Sequence, residues 1–347
     1  MSACAATLAA ALLLAAGCAG VGEPVAGAPA HHRTRGFVNS NPDFERPSFW
    51  TVQRFRAARL IEAIVPRRAV PVFPRADNDG RALRDNAGTS TVTWIGHATL
   101  LFQLDGLNVL TDPQWSERAS PLSFAGPRRI AAPGVRFEDL PRIDVVVLSH
   151  DHYDHLDRAT VSRLAAVHRP LFLVPLGLKA WFADIGVTNV EELDWWQQRV
   201  VGALTFTCVP VQHWSARTPF DMNRRLWSGW TLAGRQRRAF FSGDTGYYAP
   251  EFRAIGERLG PFDLAAIAIG GYEPPEMMRM THTTPEESLD IFTDVRARTF
   301  VAMHWGTFDI AEEPLDEPPR RLREVARARG IPDDRVWVLQ HGETRDW

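Results

Sequence analysis

Residues 143–148, Ile-Asp-Val-Val-Val-Leu, form an apolar run that leads through Ser149 into His150-Asp151-His152-Tyr153-Asp154-His155. A short apolar run bounded by polar residues reads as a buried strand. The six residues after it constrain the fold more than any other part of the chain. Three imidazoles and a carboxylate in the pattern His-x-His-x-Asp-His repel one another when charged and bury badly when neutral. Wrapped around a cation they do neither. The order of the ligands points to two cations side by side, so the fold has to bring more ligands to the end of this strand.

Three further segments supply them. The run Leu204 to Val211 leads to His213, Ala239 to Gly243 leads to Asp244, and Thr299 to Met303 leads to His304. Each ligand follows an apolar run and precedes a turn, so one rim of packed sheets can gather all of them. Seven ligands exceed the roughly four that one zinc takes and suit two. Imidazole and carboxylate donors fit zinc, with iron or manganese as alternatives. Asp112, in Leu110-Thr111-Asp112-Pro113, is either a carboxylate that orients a ligand histidine or a turn residue. Cys208 stands five residues before His213, on the opposite face if strand alternation holds, and is expected to be inert.

A chain of 347 residues is long enough for a large core in one or two domains. From residue 89 onward short apolar strands alternate with helices. Thr91 to Trp94, Leu100 to Phe102 and Val109-Leu110 read as strands, with Asp105-Gly106 as a hairpin turn. Phe172 to Val174, Ala239 to Phe241, Leu264 to Ile269 and Phe300 to Ala302 follow. Thr284-Pro285-Glu286-Glu287 carries the signature of a capped helix start, and a second helix is expected from Arg320 to Arg329. This pattern predicts a mixed α/β class with two sheets packed together and helices outside. The net charge of −2 gives no nucleic-acid footprint.

The N-terminal part reads differently. Residues 1–17 are Ala/Leu-rich and uncharged, like the core of a signal peptide. Ala15-Ala16-Gly17-Cys18 looks like a bacterial lipoprotein box, with residues 1–18 as the leader and Cys18 as the lipid anchor. The expectation is an exported protein, anchored to the membrane and facing the periplasm. Residues 19–35 read as a flexible tether and 36–88 as a helical and extended segment. Residues 89–347, which hold every candidate ligand, are expected to form the catalytic domain. A helix over 48–65 either packs on the body or rests its aromatic and arginine side chains on lipid headgroups.

Several motifs tighten the reading. Thr93-Trp94-Ile95-Gly96-His97-Ala98-Thr99, Glu192-Leu193-Asp194-Trp195-Trp196, Gln212-His213-Trp214, Gly243-Asp244-Thr245-Gly246-Tyr247 and Met303-His304-Trp305-Gly306-Thr307-Phe308 join the six-residue run. Together they resemble the N-acyl-phosphatidylethanolamine-hydrolysing phospholipase D family of the metallo-β-lactamase superfamily, from about Gly36 to the C-terminus. The resemblance implies a four-layer αββα sandwich and a dinuclear zinc phosphodiesterase acting on phospholipid at a membrane surface. It assigns His150, His152 and His213 to one metal and Asp154, His155 and His304 to the other, with Asp244 bridging. A metal-bridged hydroxide would attack phosphorus and release an N-acylethanolamine and phosphatidic acid. Asp154 and Asp244 thereby count as catalytic, and His282 is added as a residue that orients phosphate or protonates the leaving group. His97 and His341 join Asp112 as candidates for supporting the ligands from behind.

A sugar-phosphate lactonase of the same fold and a silent metal-binding lipoprotein are the alternatives. The Met-rich segment from Tyr272 to Met280 is either an acyl-chain contact or core packing. Trp195, Trp196, Trp214, Trp227 and Trp230 are expected mostly in the core. His31, His32 and His168 are expected to be solvated.

Overall fold

The computed structural model of the chain describes residues 21–64 and 71–347. The leader, Cys18 and Pro66 lie outside the described residues.

Two seven-stranded sheets form the body. In the first, the strand order is Thr344–Asp346, Thr91–Gly96, Thr99–Leu104, Leu107–Thr111, Val145–Val147, Leu171–Pro175 and Val190–Leu193. Its first four strands pair antiparallel and the rest parallel. In the second, Val336–Trp337, Ala297–Met303, Phe262–Ala268 and Arg238–Phe241 are parallel neighbours. Gly229–Ala233, Leu204–Val209 and Gln198–Val201 continue it antiparallel.

Strand alternation explains how the layers stack. Val145 and Val147 face the core between the sheets, with Trp94, Phe102, Phe206 and Trp230. Val146 and Leu148 face the other way, toward Val161 and Leu164 of the helix Arg158–Val167 and Phe182 of Lys179–Asp184. The helices Ala249–Arg258, Pro285–Asp294 and Glu317–Ala328 bury Phe252, Ile255, Leu289, Phe292 and Leu322 with the second sheet. The result is the expected four-layer αββα sandwich.

Local signals operate as the sequence implied. Asp105 and Gly106 both take positive φ, at 50° and 80°, and close the hairpin between Leu104 and Leu107. Thr284 Oγ1 accepts from Glu287 N–H, and the Glu287 carboxylate accepts from Thr284 N–H. The last helix begins at Glu317 rather than Arg320. Pro318 and Pro319 fall in its first turn, where a missing N–H leaves nothing unsatisfied.

The N-terminal helix spans Phe49–Ile64. Among the described residues no helix is long and apolar enough to cross a membrane. His31 and His32 are not solvated: both rings bond to the Asp194 carboxylate, which ties residues 31–32 to the body. Sequence alone missed this because the partners lie more than 160 positions apart.

Candidate metal centre

Four strands beneath the site each lead to a candidate ligand. Val145–Val147 leads to His150, Leu204–Val209 to His213, Arg238–Phe241 to Asp244 and Ala297–Met303 to His304. The strand ends meet at one rim and bring the seven expected residues together.

They fall into two groups. His150 Nε2 lies 2.8 Å from His152 Nδ1, and His213 Nε2 lies 3.3 Å from the same atom. Asp154 Oδ2 lies 3.4 Å from His155 Nε2 and 3.6 Å from His304 Nε2. Asp244 faces both groups. Its Oδ2 is 4.0 Å from His150 Nε2, 3.9 Å from His213 Nε2 and 3.1 Å from His155 Nε2, while Oδ1 is 3.0 Å from His304 Nε2.

The donors fit divalent cations. A tetrahedral ion about 2.0–2.1 Å from each nitrogen separates two of them by roughly 3.4 Å, close to the spacings found here. His155 Nε2, His304 Nε2 and Asp244 Oδ1 are buried without a hydrogen-bond partner. Their close contacts are ion pairs of poor hydrogen-bond alignment, and a cation at the centre would give all three atoms a partner.

Electrostatics point the same way. Burial drives His150 well below the usual histidine range, His152 down to about 4 and His213 down to about 3. These rings are neutral and offer lone pairs. Burial also works against the charge on Asp154 and Asp244, but the neighbouring His155 and His304 hold both carboxyls well below their usual range. In return the carboxylates overcome burial at His304, raising it to about 9, and lift His155 well above normal. Without metal, imidazolium charges balance the two carboxylates; a bound cation would take over that role.

The supporting residues are specific. Asp112 is fully buried and accepts from His155 Nδ1 at 2.7 Å, from Ser149 N–H at 2.7 Å and from the Ser149 hydroxyl at 2.5 Å. Ser149 Oγ also lies 2.9 Å from His150 Nδ1. Asp112 therefore orients one candidate ligand directly and a second through Ser149, a residue that sequence reasoning did not single out. His213 Nδ1 bonds to the Thr281 carbonyl at 2.8 Å and His304 Nδ1 to that of Gly270 at 3.3 Å. Backbone partners of this sort leave no trace in side-chain identity. Nor does Asn39, which donates to the His213 carbonyl and accepts from its N–H.

His97 touches the site itself, with Nε2 2.8 Å from Asp154 Oδ2. His341 is one step removed: it meets Thr307 Oγ1 at 3.1 Å, and Thr307 receives the His97 N–H. His97, Asp112 and His304 all hold positive φ, at 53°, 34° and 60°. Side chains other than glycine rarely sit there, and such strain concentrates at functional sites. His282 faces the same centre, with Nδ1 3.9 Å from Asp244 Oδ2 and no hydrogen-bond partner. Burial lowers it to about 3. Gly271 makes room for it, since a Cβ there would stand 2.9 Å from that nitrogen. Of the tryptophans, Trp195, Trp227 and Trp230 are core, whereas Trp214 stands edge-on to His152 at 4.3 Å. Cys208 is buried, and burial pushes its thiol pKa far up.

Residues 107–305 match the family model of the beta-lactamase superfamily domain. The chain is 45% identical over 248 residues to the N-acyl-phosphatidylethanolamine-hydrolyzing phospholipase D 1 of Caenorhabditis elegans, covering 68% of this chain and 70% of the relative. It belongs to the N-acyl-phosphatidylethanolamine-hydrolysing phospholipase D family. A mitochondrial family member from Saccharomyces cerevisiae is 33% identical over 272 residues, covering 76% of this chain and 58% of that one. Among solved structures, an isothiocyanate hydrolase from Delia radicum gut bacteria shares the fold at 24% identity, with a TM-score of 0.61 over 74% of this chain and 99% of that one. This phospholipase D family member is a metal-dependent hydrolase. Its His/Asp clusters suit divalent metals.

Proposed function

We propose that the chain is a dinuclear zinc phosphodiesterase that hydrolyses N-acylated phosphatidylethanolamine to an N-acylethanolamine and phosphatidic acid. The observation that carries this reading is Asp244, one carboxylate within 4.0 Å of histidines from both ligand groups. His150, His152 and His213 would hold one ion, and Asp154, His155 and His304 the other. Two ions held there would supply an acidified water and neutralise charge on the phosphate.

The chain's own residues do the rest. Asp112 and the Thr281 and Gly270 carbonyls fix the ring orientations of His155, His213 and His304. His282, kept neutral by burial in the free protein, stands 3.9 Å from Asp244; it would take a proton from water once an anionic substrate raises its basicity and pass it to the departing ethanolamine oxygen.

A membrane surface is the natural location of such a substrate. Trp50 on the N-terminal helix is 73% exposed, Phe124 78% and Phe220 64%. Arg46 contacts Met222 next to Phe220, and Leu122 shares a groove of about 760 Å³ with Tyr153 of the ligand run. Exposed aromatic side chains suit lipid headgroups. Export and lipidation at Cys18 complete the proposal.

Purified, metal-quantified protein incubated with a phospholipid panel tests the reaction, with products identified by mass. Release of N-acylethanolamine and phosphatidic acid is expected. Diacylglycerol with a phosphorylated headgroup, or turnover of sugar-phosphate lactones alone, would overturn it.

A further inference from the structure

His31 and His32 meet Asp194 in a group separate from the seven-residue cluster. His31 Nε2 lies 2.7 Å from Asp194 Oδ1, and His32 Nε2 lies 2.8 Å from Oδ2. In an extended chain, consecutive side chains leave opposite faces. Here a turn closed by His32 N–H on the Pro29 carbonyl brings both rings to one carboxylate, 4.6 Å apart and edge-on at 72°. His31 is buried and stacked on Trp195 at 4.2 Å, Asp194 is buried, and His32 is half-buried. Trp195 N–H adds a bond to Asp194 Oδ1 at 2.8 Å.

We propose that His31, His32 and Asp194 form a third divalent-cation site, for zinc or an ion of similar character, that fastens the N-terminal segment to the body. The donor set is two imidazoles and a carboxylate, gathered within 4.8 Å. That is the ligand number of a zinc site that keeps a fourth position for water. The half-buried His32 leaves a path for ion and water. The two contacts, 2.7 and 2.8 Å, resemble the 2.8 Å between His150 Nε2 and His152 Nδ1 in the seven-residue cluster.

The site has a mechanical consequence. The strands His32–Arg33 and Gly36–Phe37 lead directly to Asn39, which grips both the N–H and the carbonyl of His213. Asn41 then holds the Gln212 side chain at 2.7 Å. An ion between His31, His32 and Asp194 therefore anchors the strap that positions His213.

The test compares zinc content of the full chain with that of Asp194→Asn, after dialysis against a weak chelator and addition of zinc. The variant is expected to hold one zinc fewer per chain. The measurement is a difference, so it does not depend on how many ions the catalytic cluster takes. The same loss is expected in a His150→Ala, His304→Ala background, which separates this site from the catalytic one. Zinc is also expected to slow tryptic cleavage at Arg33 and Arg35 in the wild type and not in the variant. If Asp194→Asn does not fold, as judged by near-ultraviolet circular dichroism, His32→Gln replaces it. Equal zinc content in wild type and a folded variant would overturn the site and leave a hydrogen-bonded clamp.

Discussion

Glu251 lies in the first turn of the helix Ala249–Arg258, just beyond the loop that carries Asp244. It is 5% exposed, and no well-aligned hydrogen bond reaches either carboxyl oxygen. Burial raises its pKa from 4.5 to about 7, with Ser40 pulling the other way by less. The folded pKa thus lies above the unfolded one. Below pH 4.5 both states are protonated and no charge is buried. Between pH 4.5 and 7 the unfolded chain ionises first, so stability falls as pH rises. Above pH 7 the folded state bears the full penalty, about 3 kcal/mol at ~1.36 kcal/mol per pKa unit. Glu251→Gln keeps the shape and removes the charge. Urea denaturation at fixed metal concentration, at pH 5 and pH 8.5, measures the effect. The variant should be more stable than wild type by about 3 kcal/mol at pH 8.5 and by less than about 1 kcal/mol at pH 5. An equal difference at the two pH values would refute the burial argument.

Asp112→Asn should weaken metal affinity about 10–100-fold, with activity recovered at high metal; unchanged affinity in a chelator competition would remove Asp112 from the supporting role. Metal added to the metal-free protein at pH 7 should release protons, because His155 and His304, raised well above normal and to about 9, must lose theirs to bind. Affinity should then fall as pH falls, and a pH-indicator titration showing no release would contradict the charge balance described for the cluster. His282→Gln should lower turnover by about 10²–10⁴-fold at unchanged metal content; full turnover would show that His282 takes no part.

The ligand set was legible because its chemistry leaves few alternatives. An apolar run marks a buried strand, and a histidine or aspartate at its end can only be there for a reason that offsets desolvation. Four such ends, at His150, His213, Asp244 and His304, were visible one by one. The capping box at Thr284 and the turn at Asp105-Gly106 were visible for a similar reason: each is a contact between near neighbours. The edge strand Gln198–Val201 was not, since its residues are exposed and show no alternation. Nor was the strand Thr344–Asp346, which leaves the second half of the chain to pair with Thr91 to Thr93.

Sequence therefore determined which donors the centre can offer a metal: His150, His152, Asp154 and His155 in one run, and His213, Asp244 and His304 after three further strands. Tertiary structure decided how they are held. Ser149 and Asp112 are 37 positions apart, Asn39 and His213 174, His31 and Asp194 163. No local pattern encodes such pairs, because a hydrogen bond between distant side chains depends on where the packed sheets place their backbones. His31 and His32 looked like solvated residues in an unstructured segment; only the fold turned both toward one buried carboxylate.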